Sequence, residues 1–235
     1  MAASQNTGDP FLFVCARDRQ PQYAAELAAL PYRVVFVDDL VQLLNRCVEG
    51  PPQAVLIDTV SSIRMGAAVM NALLELRTTW PVLRCSIRPD GVANALCATT
   101  DRHGTLTEAL HGIAAGDAGW LPRWKRRHVR VGVLCRARVR VGPEDRWRLG
   151  NCVDLSCGGA FVVSYEFYAA GDALEIELRD LLEQPLRLRA HVMRVRKWDD
   201  TPQLPGIGVA FDAATIPPDL SRLVTTTLLA QAFAH

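Results

Sequence analysis

Lysine is almost missing from this chain: of its 26 basic residues only Lys125 and Lys197 are lysine, and none precedes Lys125. No uninterrupted apolar run approaches the roughly 20 residues of a membrane span, and no basic segment followed by an apolar one opens the sequence. A soluble, cytoplasmic protein without membrane insertion is expected. The seven cysteines (Cys15, Cys47, Cys85, Cys97, Cys135, Cys152 and Cys157) form no C-x-x-C pair and are odd in number. Most sit inside apolar runs, where a free thiol behaves as a small hydrophobe. That excludes a disulfide framework or a zinc site and indicates a reducing compartment. The five histidines add no metal-ligand spacing, so no metal is expected. A net charge of +1 does not suit a general nucleic-acid binder, which carries a broad basic face. There is no G-x-S-x-G, no P-loop and no G-x-G-x-x-G after a strand. Cys157 has no base near it in sequence to make it a nucleophile, and an enzyme is not expected.

What is present is ordinary globular composition, 49% hydrophobic and 22% charged, in two halves with different periods. From residue 11 to about 115, short apolar runs ("FLFVCA", "YRVVFVDD", "AVLIDTV", "PVLRCSI") alternate with helical patterns. The helices are expected through Tyr23, Leu27 and Leu30, through Leu40, Leu43, Leu44 and Cys47, and from about Met65 to Leu76. Continuous apolar strands separated by helices predict a small parallel α/β sheet covered on both faces. Residues 89–103 are ambiguous, and "TLTEALHGI" offers a last helix. From Arg130 the pattern alternates. Val131, Val133, Cys135, Ala137, Val139 and Val141 share one face, and strands follow at "RWRLGNCVD", "GAFVV", "ALEIEL", "LRLRAHVMRV" and "GIGVAF". Six short alternating strands joined by turns predict an antiparallel β-barrel. Pro217-Pro218-Asp219 starts a final helix with an apolar stripe through Leu220, Leu223, Val224, Thr227, Leu228 and Gln231. The expected domains are residues 1–115, a linker over 116–125, and residues 126–235.

Charge is concentrated at the boundary. "RWKRRHVR", residues 123–130, holds Arg123, Lys125, Arg126, Arg127 and Arg130, and "VDLSCGGAFV" follows at a strand–turn–strand junction with Asp154, Ser156 and Gly159. In an antiparallel barrel one strand out and one back can bring these two stretches close. Arginine offers a planar fork for phosphate oxygens or the O6/N7 edge of guanine, and it stacks on bases. Aspartate accepts from the N–H groups of the opposite guanine edge, serine adds a short donor or acceptor, and glycine lets the backbone approach closely. A guanine nucleotide with several phosphate charges uses all of these.

Arg126 and Arg130 in "RRHVR" fit an R-x-x-x-R motif, and Asp154, Ser156 and Gly159 in "DLSCGG" fit [DN]-x-S-x-x-G. With "GIGVAF" as a last barrel strand, residues 123–234 resemble the PilZ domain, a bacterial receptor for cyclic di-GMP. The resemblance implies that Arg126 and Arg130 hold guanine faces and phosphates, with Arg127 assisting and Lys125 adding charge. Asp154 and Ser156 would read a guanine edge, and Gly159 would permit the close turn. Cyclic di-GMP would be a regulatory ligand, its binding would order a mobile 123–130 segment and reorient the domains, and an unidentified protein of a motility, pilus or exopolysaccharide system would be the partner. His128 and His191 are read as packing or surface residues. Two other readings stay open: an adaptor that binds protein without nucleotide, and a phosphorylated response regulator.

The first half resembles a response-regulator receiver, with Asp58 closing the third strand as the candidate phosphoacceptor. That chemistry needs an acidic cluster for Mg²⁺ and a lysine for the phosphoryl group. Ala16-Arg17-Asp18 stands where an acidic pair is expected, and lysine is lacking. Asp38 and Asp39 are read as capping or solvated carboxylates. A pseudo-receiver serving homodimerisation or partner docking is expected.

Overall fold

The computed structural model describes residues 8–121, 126–197 and 203–233. Contacts divide the chain into two units, one of residues up to Val129 together with those from Leu228, the other Arg130–Thr227.

In the first unit, strands β1 (Phe11–Val14) and β3 (Ala54–Asp58) are buried along their whole length, as their unbroken apolar runs require. Helices α1 (Pro21–Ala28) and α2 (Leu40–Glu49) and strand β2 (Val34–Val37) fall where the periodicity places them, except that α1 ends before Leu30. Asp39 caps α2 by accepting from the Gln42 N–H at 2.7 Å. The helix expected from about Met65 to Leu76 is α4 (Ala67–Leu76), and a further short helix, α3 (Thr59–Met65), precedes it; Gly66 at φ +81° leaves the right-handed region between them.

The sheet departs from the expectation of an all-parallel one. Strand β4 (Val82–Ile87) is parallel to β3, but β5 (Ala93–Cys97) and β6 (His103–Thr105) run antiparallel, giving the mixed order β2-β1-β3-β4-β5-β6. The cause is a tight return: Arg88 N–H donates to the Val92 carbonyl at 3.0 Å, with Gly91 at φ +84°. A turn this short has no room for the crossover helix a parallel strand needs. The first four strands keep the 2-1-3-4 order of the flavodoxin-like sheet, and the likeness to a receiver stops there. Helix α5 (Leu106–Ala115) opens on a capping box between Thr105 and Glu108 and ends at left-handed Gly116. Phe11, Phe13, Tyr23, Leu56, Leu83, Leu110 and Trp120 belong to the core on the α5 side.

The second unit is a closed antiparallel barrel in the order β10-β11-β12-β9-β8-β7. Its strands are β7 (Val131–Arg140), β8 (Arg148–Ser156), β9 (Gly159–Val163), β10 (Ala173–Leu178), β11 (Leu186–Arg196) and β12 (Gly206–Phe211), with β10 pairing back onto β7. Closure removes every free sheet edge. Val131, Cys135, Ala137 and Val139 are buried as the alternation predicts, whereas Val133 is half-buried and Val141 exposed. Helix α6 (Pro218–Phe233) buries Leu220, Val224 and Leu228 of the predicted stripe, while Leu223, Thr227 and Gln231 are half-buried.

Candidate functional site

Two bulges build the outer surface of the barrel at one point. Along β8, Cys152 points inward, and continued alternation would turn Asp154 inward too. The register shifts between Cys152 and Asp154, so Asp154 faces out while Leu155 is buried. On β11 the shift between Val192 and Arg194 does the same: even-numbered residues face inward before it, and Arg194 and Arg196 face outward after it. One register row then crosses five strands, from Gly132 on β7 through Asp154, Phe161 and Gly208 to Arg194 on β11.

Arg130, immediately before β7, donates from Nη1 to Asp154 Oδ2 at 3.0 Å, and each side chain remains about one-third exposed (32% and 33%). The other carboxylate oxygen, Oδ1, is buried and has no hydrogen-bond partner among the described residues. An unpartnered buried carboxylate oxygen is destabilising by a few kcal/mol, roughly 1–3. It is an acceptor that the described residues leave unused. Phe161 lies under two guanidinium groups, Arg194 at 5.6 Å and Arg196 at 4.8 Å from its ring centroid. Ser156 is buried and donates to the Gly159 carbonyl at 3.0 Å, closing the β8–β9 hairpin. Gly159 must be glycine for a structural reason, because a Cβ there would overlap the Val209 carbonyl oxygen of β12.

The structure thus brings Arg130, Asp154, Ser156 and Gly159 together. It adds Phe161, Arg194 and Arg196, which the motif reading did not select. Their signal in the sequence is the R-V-R of "VMRVRK" on a strand adjoining the last one, visible only once the bulge sets the phase. Arg126 and Arg127 are exposed and line, with Gln53, Thr79 and Trp80, a cavity of about 440 Å³ in the first unit. Lys125 and Arg123 lie outside the described residues. His128 is half-buried, and burial with the nearby Arg127 charge lowers its pKa. His191 is exposed on β11.

Asp58 in the first unit is 0% exposed. It accepts from Arg19 Nε (2.7 Å) and Nη2 (3.0 Å), from the Tyr23 hydroxyl (2.7 Å), and from the Ser61 N–H (2.8 Å) and hydroxyl (2.7 Å). Burial alone would raise its pKa, but the donated hydrogen bonds of Arg19, Ser61 and Tyr23 outweigh it and hold the carboxyl below its ordinary value. The neighbouring carboxylates are also matched with arginine, Asp18 with Arg64 at 2.8 Å and Asp38 with Arg17 at 2.6 Å. Among the described residues no group of three or more His, Cys, Asp or Glu side chains is placed to hold a metal ion.

The second unit is therefore an arginine-rich antiparallel barrel whose outer face presents the Asp154 carboxylate near Arg130, with Arg194 and Arg196 over Phe161. Residues 125–226 match the family described as the PilZ domain, and this segment is a PilZ domain. Similar solved structures include the Bacillus subtilis inhibitor of motility MotI/DgrA (14% identity, 63% of this chain and 70% of that one, TM-score 0.38). The PilZ domain with c-di-GMP of YcgR from Escherichia coli matches at 15% identity over 47% of this chain and 94% of that one, TM-score 0.35. The Borreliella burgdorferi PlzA protein in complex with c-di-GMP matches at 15% identity over 60% and 61%, TM-score 0.33. No curated protein matches.

Proposed function

We propose that the protein is a cyclic di-GMP effector, a binding protein rather than an enzyme. The observation that carries this is the Arg130–Asp154 pair with the orphan Asp154 Oδ1, set in the matched PilZ segment beside Arg194 and Arg196. The free Oδ1 accepts from the N1–H and N2–H edge of a guanine. The arginines supply forks for the phosphates and planes for stacking.

In this reading residues 1–115 form the first domain, 116–125 the linker and 126–235 the barrel domain. Arg126, Arg127 and Lys125 join the dinucleotide when it binds, so the segment ahead of β7 closes over it. A dinucleotide shifts the balance between two arrangements of the chain only by its difference in affinity for them. That closure is the differential contact: it changes the relation of the two domains and with it the affinity for a protein partner of a motility, pilus or exopolysaccharide system in the cytoplasm. No helix among the described residues is long and apolar enough to cross a membrane.

Calorimetry of the full chain with cyclic di-GMP tests the reading. Saturable heat, lost in Arg130→Ala, is expected. A folded wild type that gives no heat at tens of micromolar overturns it and leaves the nucleotide-free adaptor.

A further inference from the structure

Strand β4 lies between β3 and β5, inside a six-stranded sheet. On the α5 side it behaves as an interior strand, with Leu83 and Cys85 in the core. On the other side Arg84 and Ser86 are exposed, and their cross-strand neighbours on β5 are Leu96 and Asn94. His103 on β6 stands opposite Leu96 and continues the same face. An interior strand of an α/β sheet is apolar on both faces because helices cover both. Here the tight β4–β5 return supplies no crossover helix, and among the described residues Arg84 and Ser86 on this face stay exposed.

A cavity of about 610 Å³ occupies that place, with Arg84, Ser86, Arg88, Asn94, His103 and Glu108 among its lining residues. That volume lies in the range of small-molecule sites, roughly 300–1,000 Å³. Among the described residues the side chains of Arg84, Ser86, Asn94 and His103 have no hydrogen-bond or ion-pair partner. Arg88 is held only by Asp90 of the same turn, an exposed pair that water and competing anions exchange readily. The carboxylate in the lining, Glu108, is already committed to the Thr105 N–H at 2.8 Å as part of the α5 cap. The basin thus combines Arg84, His103 and two neutral polar groups without partners among the described residues and a second arginine, Arg88, held only by an exposed pair.

We propose that this basin binds a small molecule bearing a phosphate group, at a site separate from the barrel. A carboxylate would occupy one arginine fork. A phosphate, with three acceptor oxygens and a second charge, engages Arg84, Arg88 and His103 together, with Ser86 and Asn94 at its edge and Leu96 offering an apolar surface to the remainder.

The test is calorimetry of the full chain with inorganic pyrophosphate at low ionic strength, with citrate as the carboxylate comparison. Wild type and Arg130→Ala should bind pyrophosphate saturably and alike. Arg84→Ala and His103→Gln should each weaken binding, Arg84→Ala at least about tenfold, as loss of a charge-assisted hydrogen bond implies. Both positions are exposed, so the variants should melt with the wild type, and His103→Gln carries the test if Arg84→Ala does not fold. The proposal is overturned if wild type shows no saturable binding, if Arg84→Ala and His103→Gln bind as wild type does, if Arg130→Ala abolishes binding, or if citrate binds as tightly.

Discussion

Replacing Asp58 by asparagine tests a structural carboxylate against a phosphoacceptor, because only the structural role requires a large loss of stability. The carboxylate is fully buried and takes hydrogen bonds from Arg19, Tyr23 and Ser61, and Arg19 itself is only 16% exposed. An asparagine in its place would keep one acceptor oxygen, turn an N–H₂ group toward donors, and leave the Arg19 charge without its counter-ion in a nearly dry site. Breaking a buried pair by removing one partner is destabilising by about 3–5 kcal/mol. For a unit of this size that lowers the melting temperature by about 10 °C or more. The assay is urea or thermal unfolding of wild type and Asp58→Asn at pH 7 and at acidic pH. Because the folded carboxyl sits below its ordinary value of 3.8, its stabilisation is complete above that value. It disappears as pH falls through the lower folded value, so the gap between the two proteins should narrow only below about pH 4. A loss under about 1 kcal/mol at pH 7, or a gap that closes near neutrality, refutes the structural role. Acetyl phosphate that labels wild type and not Asp58→Asn would restore Asp58 as an acceptor.

Arg196→Ala removes a guanidinium from above Phe161 and should weaken cyclic di-GMP binding about tenfold with little change in barrel stability, read by calorimetry and thermal melting. Gly159→Ala should destabilise the barrel by about 1–3 kcal/mol in urea unfolding, since the new methyl meets the Val209 carbonyl of β12. Asp39→Ala should destabilise the first unit by about 1 kcal/mol through loss of the cap on the Gln42 N–H, measured the same way.

Much of the barrel is legible in the sequence because its long strands β7 and β11 alternate over most of their length and turn residues separate the runs. "GIGVAF" forms a strand over the same residues, and "ALEIEL" does likewise. The bulges are not legible. Alternation counted from Cys152 turns Asp154 inward, and counted from Leu186 it turns Arg194 inward; only the pairing with β9 and β12 shows the extra residues. For that reason the motif residues Arg130, Asp154, Ser156 and Gly159 could be named in advance while Phe161, Arg194 and Arg196 could not. In the first unit the apolar runs locate four parallel strands but carry no direction for β5. "ANALC" fits a strand of either sense, and the sense is set by the short return at Gly91. The arginine setting of Asp58 has only a partial trace in the sequence, Arg17 within Ala16-Arg17-Asp18 where an acidic pair is expected. The bidentate geometry of Arg19 depends on a fold that brings residues 39 positions apart into contact.

The proposed recognition of guanine assigns Asp154 as the acceptor for the base edge, and one measurement addresses that role. Cyclic di-GMP and cyclic di-AMP are titrated into wild type and Asp154→Ala, with stoichiometry and melting temperature recorded for each. Wild type should bind the guanine dinucleotide alone and saturably, and a folded Asp154→Ala should lose at least about tenfold in affinity. Equal affinity for the two dinucleotides, or an Asp154→Ala variant that binds as wild type does, would contradict it.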